Sequence, residues 1–451
     1  MSVEKEIREP MIERFGLESV PKHLQTTTAK EYAAIQVAIS VNAGNVLVPA
    51  LAVLEGGLTF LQAVLSTVIG AALAFMFVSY LTLPGSKYGI PSQYGIRAIL
   101  GSKGARYLAS PVRTVTSMYW FAVQTIGGTY LVKELIERTF SVNIPFFALA
   151  IFLATIMAVL ALVGFEAVKK VTRYFLPMLF IGGVVMLWIL MTNEVNGRTF
   201  GTIVNEPSGA SFSVMFFFAS LAFVQYVSGV SSASDMARYA KSVRHGFWGL
   251  FSGNVLGFLM TAILGAYTAA LAGSVNPYVT ASQLTNSTIS LTIIVIASIA
   301  SMIMINLSNA YTGGYSLLNS LPQLGRVRSA VVFGCLAILL STIPALVEQA
   351  QVYISFLGAL IIPLSAVIVC EFLFIKRKQF NTQDVSNITS GEYFYNRIGI
   401  MAALIGMIIY VLIPSNASPG FLAFLVTGTL YTGLAWKNRR EVEMSNEEQA
   451  S

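Results

Sequence analysis

Twelve apolar stretches, each about the length of a bilayer-crossing helix, leave few folds open to this chain. A hydrocarbon core about 30 Å thick needs about 20 apolar residues per helix. Such runs fall at about 30–54, 58–82, 106–132, 144–163, 168–192, 211–233, 246–272, 288–318, 328–346, 350–375, 396–413 and 417–436. Only 11% of the 451 residues are charged, and mean hydropathy is +0.71. A soluble domain carries about 25% charged residues, so a water-soluble enzyme is excluded. Apolar residues are too abundant for a disordered chain, and the basic residues too dispersed for nucleic-acid binding. Cys335 and Cys370 lie in apolar runs, and His23 and His245 are far apart, so neither type builds a metal cluster. The expected fold is an all-α membrane protein of twelve transmembrane helices.

Lys and Arg positions orient such a chain. With the N-terminus inside, 25 of the 28 basic residues fall on the inner side, Arg97, Arg113, Lys169, Arg238 and Lys376 among them. Lys133, Arg138 and Arg198 fall outside. An odd number of spans would scramble this bias, so both termini are expected in the cytoplasm. The charged first thirty residues lack an apolar stretch and read as a cytoplasmic arm, not a signal peptide. The net charge of +7 suits anionic lipid at the inner surface. The expected location is the plasma membrane.

Helix breakers point to a site. Non-helical backbone survives at membrane depth only where it lines a protein cavity, and paired broken helices mark transport sites. Span 1 holds Ser40, Asn42, Ala43, Gly44, Asn45 and Pro49 within ten residues, and span 6 reads Gln225-Tyr226-Val227-Ser228-Gly229-Val230-Ser231-Ser232-Ala233-Ser234-Asp235. The two are five spans apart, so a second five-helix unit would be inverted relative to the first. The expected division is an arm at 1–29, repeats at 30–193 and 211–375, two extra helices at 396–436 and a cytoplasmic tail at 437–451.

Spans 3 and 8 add polar groups at membrane depth. Trp120 and Gln124, four apart, share a helix face, and span 8 carries Ser308 and Asn309. Aromatics (Trp120, Tyr226), amides (Gln124, Asn309, Gln225, Asn42) and hydroxyls (Ser228, Ser308), with no acid or base near the centre of these spans, suit a flat, neutral, hydrogen-bonding solute. Asp235 and Arg238, at the inner end of span 6, read as an ion pair or gate latch rather than a proton path. Glu371 is expected to pair with Lys376, Glu166 with Lys169 and Lys170, and Glu55 to be solvated. Carbonyls and a hydroxyl from spans 1 and 8 (Ser40, Ala43, Met304, Leu307, Ser308) would suit Na⁺. No zinc motif, nucleophile elbow or phosphate loop appears, and no cofactor is expected. An amino-acid permease of the same architecture, an intramembrane enzyme and a channel are the competing readings.

These residues also carry a likeness. Trp120-Phe121-Ala122-Val123-Gln124-Thr125, Ser232-Ala233-Ser234-Asp235-Met236-Ala237-Arg238-Tyr239, Gly89-Ile90-Pro91 with Arg97 and Gly101, and Asn309 together resemble the nucleobase:cation symporter-1 family, which includes cytosine permease and the hydantoin transporter. The resemblance spans the first ten helices. It implies a five-plus-five inverted repeat with two extra helices, and alternating access that imports a nucleobase or cyclic ureide with Na⁺ or H⁺; a monomer is expected. It implies ring stacking by Trp120 and Tyr226 and ligand contacts from Gln124, Ser228 and Asn309. In span 1 the matching positions are Ser40 to Asn45, or alternatively Gln36. The relatives' two adjacent span 8 hydroxyls are here Leu307-Ser308, so one sodium ligand is missing.

Overall fold

A computed structural model of the protein describes residues 16–207, 209, 211–414 and 417–450. Among the described residues the chain is helical, apart from two isolated bridges, Thr27 with Ala240 and Val195 with Arg198. The principal helices are α1 (Ala29–Ser40), α2 (Leu47–Leu54), α3 (Phe60–Tyr80), α4 (Ser110–Phe140), α5 (Phe146–Ala161), α6 (Phe165–Thr192) and α7 (Phe212–Val227). There follow α8 (Ala233–Ala237), α9 (Val243–Ala272), α10 (Thr288–Ser320), α11 (Gly325–Leu340), α12 (Ala350–Cys370), α13 (Arg397–Leu412) and α14 (Pro419–Ala450). Seven described helices are long and apolar enough to cross a membrane by themselves. The first expected span falls short because it is broken into α1 and α2. The third, α4, is diluted by the polar face that carries Arg113, Ser117 and Gln124. α14 continues to Ala450 through the segment expected as a tail, because 437–450 is built of good helix formers without Gly or Pro. Lys5, Arg8 and Arg14, and the side chains of Arg138 and Glu166, lie outside the described residues.

Apolar side chains such as Trp188, Phe212, Ile289 and Leu412 are exposed on the outer surface, where lipid would cover them. Inside, small residues decide how closely helices approach. Gly249, Gly253 and Gly257 recur every four residues on α9 and face α1. A Cβ at Gly253 would lie 2.5 Å from the Ala33 carbonyl oxygen, so only glycine lets α1 lie this close. α1 packs on α9, α7 on α3, and α4 on α10. At its start α1 is capped reciprocally. Thr28 Oγ1 accepts the Glu31 N–H at 3.3 Å, and Glu31 Oε2 accepts the Thr28 N–H at 2.9 Å.

The segment between α3 and α4 folds into short helical turns, with Gly89 and Gly101 at φ +71° and +83°. Arg97 anchors it by donating through Nε and Nη2 to Asn319 Oδ1 at 3.1 and 2.6 Å. Glu371 pairs with Lys376 at 3.5 Å, as expected, and also accepts from Tyr431 OH at 2.6 Å. Glu55 is exposed.

Candidate functional site

Both expected breaks are present. Between α1 and α2 the backbone leaves the helix from Val41 to Val46. Breaking a buried helix frees carbonyls that must find donors. The two asparagines supply them: Asn42 Nδ2 donates to the Ile39 and Ser40 carbonyls at 2.8 and 3.2 Å, and Asn45 Nδ2 donates to Ser40 O at 2.7 Å. Asn45 N–H in turn donates to Asn42 Oδ1 at 2.9 Å. In the sixth span, α7 gives way to a 3-10 turn at Ser228–Ser231 before α8. There Ser231 Oγ donates to Ser228 O at 2.8 Å and Gln93 Nε2 to Ser231 O at 2.9 Å.

Neighbouring helices stitch the first break in place. Gly44 N–H donates to Gln124 Oε1 at 3.0 Å, and Gln124 Nε2 donates to Asn42 Oδ1 at 2.6 Å. A Cβ on Gly44 would sit 2.2 Å from Gln124 Nε2, so a larger residue there would push the carboxamide off the break. From α7, Gln225 Nε2 reaches Gly44 O at 3.4 Å and Asn45 Oδ1 at 3.3 Å. Of the expected ligand amides, Asn42, Gln124 and Gln225 are thus first of all clamps on the break. Gln124 keeps one N–H and one lone pair for a ligand, and Gln225 Oε1 is buried without a partner.

A cavity of about 150 Å³ opens beside the two breaks. Of the expected residues, Ser40, Asn45, Trp120, Gln124, Gln225, Tyr226, Ser228, Ser308 and Asn309 line it. Asn42 and Gly44 lie behind this wall, holding Gln124. Trp120 faces inward and meets Tyr119 edge-on at 5.2 Å. Tyr226 packs on Phe75 and Phe258 at 4.7 and 5.0 Å between centroids, and its hydroxyl is buried without a partner. Asn309 makes one long bond, Nδ2 to Asn306 Oδ1 at 3.4 Å. Gln36, the alternative span 1 position, lines the same cavity.

The five residues assigned to a cation divide. Ser40 is committed: its hydroxyl donates to Asn254 Oδ1 at 2.8 Å, and its carbonyl accepts from Asn42 and Asn45. Met304 and Leu307 are buried on α10, and Ala43 lies in the break. Ser308 Oγ makes no hydrogen bond among the described residues; it is Thr312 Oγ1 that bonds back, to Ser308 O at 3.1 Å.

Asp235 and Arg238 form no ion pair among the described residues. The intervening turn sends them apart. Asp235 Oδ1 accepts the Ser92 N–H at 2.8 Å, and Arg238 Nη2 donates to Tyr315 OH at 3.0 Å. Ser234 adds to the same joint, donating to Leu81 O at 2.7 Å and accepting Gly85 N–H at 2.9 Å.

The cavity is not neutral, contrary to the sequence-based expectation. Arg113, grouped there with the basic loop residues, lines it. It stands seven residues, two helical turns, before Trp120 and eleven before Gln124 on α4, hence on the same face. That spacing was the signal that could have found it. Asn254, a lone amide in an apolar run, donates to Gln36 Oε1 at 3.0 Å and was detectable on the same grounds. Phe75, one of 29 phenylalanines, carries no such mark.

A family model described as a permease for cytosine/purines, uracil, thiamine, allantoin matches residues 19–434. A purine-uracil permease, NCS1, of Arabidopsis thaliana is 24% identical over 389 residues, which cover 79% of this chain and 63% of the plant protein. The chain thus spans under two thirds of that relative. An allantoin permease of Bacillus subtilis (strain 168) is 23% identical over 400 residues, 77% of this chain and 78% of that protein. Among solved structures, Mhp1, a nucleobase-cation-symport-1 family transporter, in a closed conformation with bromovinylhydantoin bound, superposes with TM-score 0.78 at 14% identity over 95% of this chain and 96% of that one. Its inward facing conformation gives 0.71 at 15% identity, over 94% and 96%. With the family model matching nearly the whole length, the chain belongs to the nucleobase-cation-symport-1 family of permeases.

Proposed function

We propose that this protein is a secondary active transporter that imports a nucleobase or related cyclic ureide by alternating access across the plasma membrane. One observation carries the reading: a small cavity lies where two helices break, with an indole, phenols and several carboxamides on its wall. Its volume of about 150 Å³ is below the ~300–1,000 Å³ of drug-sized pockets. A ring stacks on Trp120 and Tyr226 while Gln124, Gln225, Ser228 and Asn309 bond its edges. Asn42, Gly44 and Asn45 shape the break, and Asp235 and Arg238 hold the inner end of the sixth span. The relatives named as purine-uracil and allantoin permeases favour this class of solute.

Twelve spans in a five-plus-five inverted repeat, both termini cytoplasmic, complete the proposal. In support, α1 packs on α9 (spans 1 and 7) as α7 packs on α3 (spans 6 and 2), and α4 meets α10 (spans 3 and 8). A two-fold relation between spans 1–5 and 6–10 exchanges these pairs. Coupling is to Na⁺ or H⁺. Ser308 offers a free hydroxyl, with Ala43, Met304 and Leu307 supplying carbonyls, and the protein works as a monomer in the bilayer.

The test is uptake into proteoliposomes of radiolabelled cytosine, uracil, adenine, allantoin and a hydantoin, under Na⁺ and H⁺ gradients imposed separately. Accumulation of at least one ring under one gradient is expected. Accumulation of amino acids alone would replace this reading with the amino-acid permease.

A further inference from the structure

Among the described residues, Arg113 is the one charged side chain lining the cavity. Its surroundings are unlike those of other arginines here. Arg97 donates twice to an amide oxygen, Arg106 to the Ser320 carbonyl, and Arg198 to a carbonyl and a carboxylate. Arg113 is 9% exposed and makes one hydrogen bond among the described residues, Nη2 to Thr312 Oγ1 at 3.1 Å. Its Nε is buried without a partner. Among the described residues no carboxylate pairs with it: Asp235 acts on it from beyond ion-pair distance, with Oδ1 held by Ser92 and Oδ2 unpartnered. Thr312 is fixed in its role, because its proton is committed to Ser308 O and its lone pairs are left for Arg113.

A guanidinium has five donors and no acceptor. Buried against a single neutral oxygen, it is undersatisfied, and burying a charge so is costly. What its end of the cavity lacks is an acceptor. We propose that Arg113 is a specificity-determining residue that reads an oxygen-bearing edge of the ligand. The cavity takes planar rings that turn a carbonyl, or a delocalised ring anion, toward Arg113 and Thr312. It discriminates against rings that present an exocyclic amino group there, since N–H would meet N–H and leave both unpaired. Within the proposed nucleobase and ureide class, on which this inference rests, that selects oxo rings over their amino counterparts.

The test uses pairs of equal shape. Uracil and cytosine, and hypoxanthine and adenine, each exchange one carbonyl for one amino group, and the neighbouring ring N–H for an acceptor nitrogen. Equilibrium binding to the purified full-length protein is expected to be at least about tenfold tighter for the oxo member of each pair. Arg113→Gln should bring each ratio to within about threefold, and Arg113→Lys, which keeps the charge but loses the fork, should fall between. Oxo and amino members binding equally well to the native protein would overturn the inference, as would an Arg113→Gln protein that keeps the preference. Should that variant not fold, the ordering in the native protein decides alone. Failure of every ring, allantoin included, to bind the native protein would instead overturn the proposed function.

Discussion

Replacing Gln124 by alanine separates two roles that its position combines. Its carboxamide accepts from Gly44 N–H at 3.0 Å and donates to Asn42 Oδ1 at 2.6 Å, so it holds the unwound part of the first span against α4. Gln124→Ala leaves the Gly44 N–H buried without an acceptor, at about 1–3 kcal/mol. Asn42 Oδ1 keeps the Asn45 N–H at 2.9 Å, so that end loses one net bond, about 0.5–1.5 kcal/mol. The variant should therefore be less stable by about 1.5–4.5 kcal/mol as well as defective in uptake. Gln124→Glu keeps the acceptor for Gly44 but sets two oxygens against each other at Asn42, so it should fall between. The two cysteines provide the assay. Cys370 is buried and Cys335 exposed. In a Cys335→Ser background, a thiol-reactive dye reports the heating step at which Cys370 is uncovered. A Gln124→Ala protein that labels at the parental temperature would refute the clamp, whatever its transport.

Trp120→Ala removes a stacking wall and no backbone clamp, so uptake should fall by about tenfold while the dye-labelling temperature stays near parental; a large loss of both would make Trp120 a packing residue. Gly253→Ala forces a Cβ to within 2.5 Å of Ala33 O and should destabilise by about 1–3 kcal/mol, whereas Gly183→Ala, with open space around it, should melt like the parent or slightly higher. Asp235→Asn retains an oxygen for the Ser92 N–H, so folding and uptake should persist, while Asp235→Leu should lose both. Loss of H⁺-driven uptake alone in the Asn variant would show a proton carrier.

The architecture could be read from the sequence wherever its cause is local. Hydropathy over about 20 residues and the Asn, Gly, Pro and Ser of the breaks act within a helical turn or two, so the apolar runs and both interruptions were visible in the order of residues. The face shared by Trp120 and Gln124 follows from helical periodicity. The same periodicity extends to Arg113, but counting its charge with the loop concealed that.

What the order of residues could not supply is partnership across the fold. Asp235 and Arg238 are three apart in the chain, yet one turns to Ser92 and the other to Tyr315. Gln124 is partly engaged by Gly44 and Asn42, eighty residues or more away, and Ser40 by Asn254. Asn254 and Phe75 reach the cavity only because α9 and α3 pack where they do. Solvation and backbone preference belong to a segment and are written in it. Whether a buried polar atom is spent on its neighbours or left over for a ligand depends on distances between segments, and those exist only once the helices are packed.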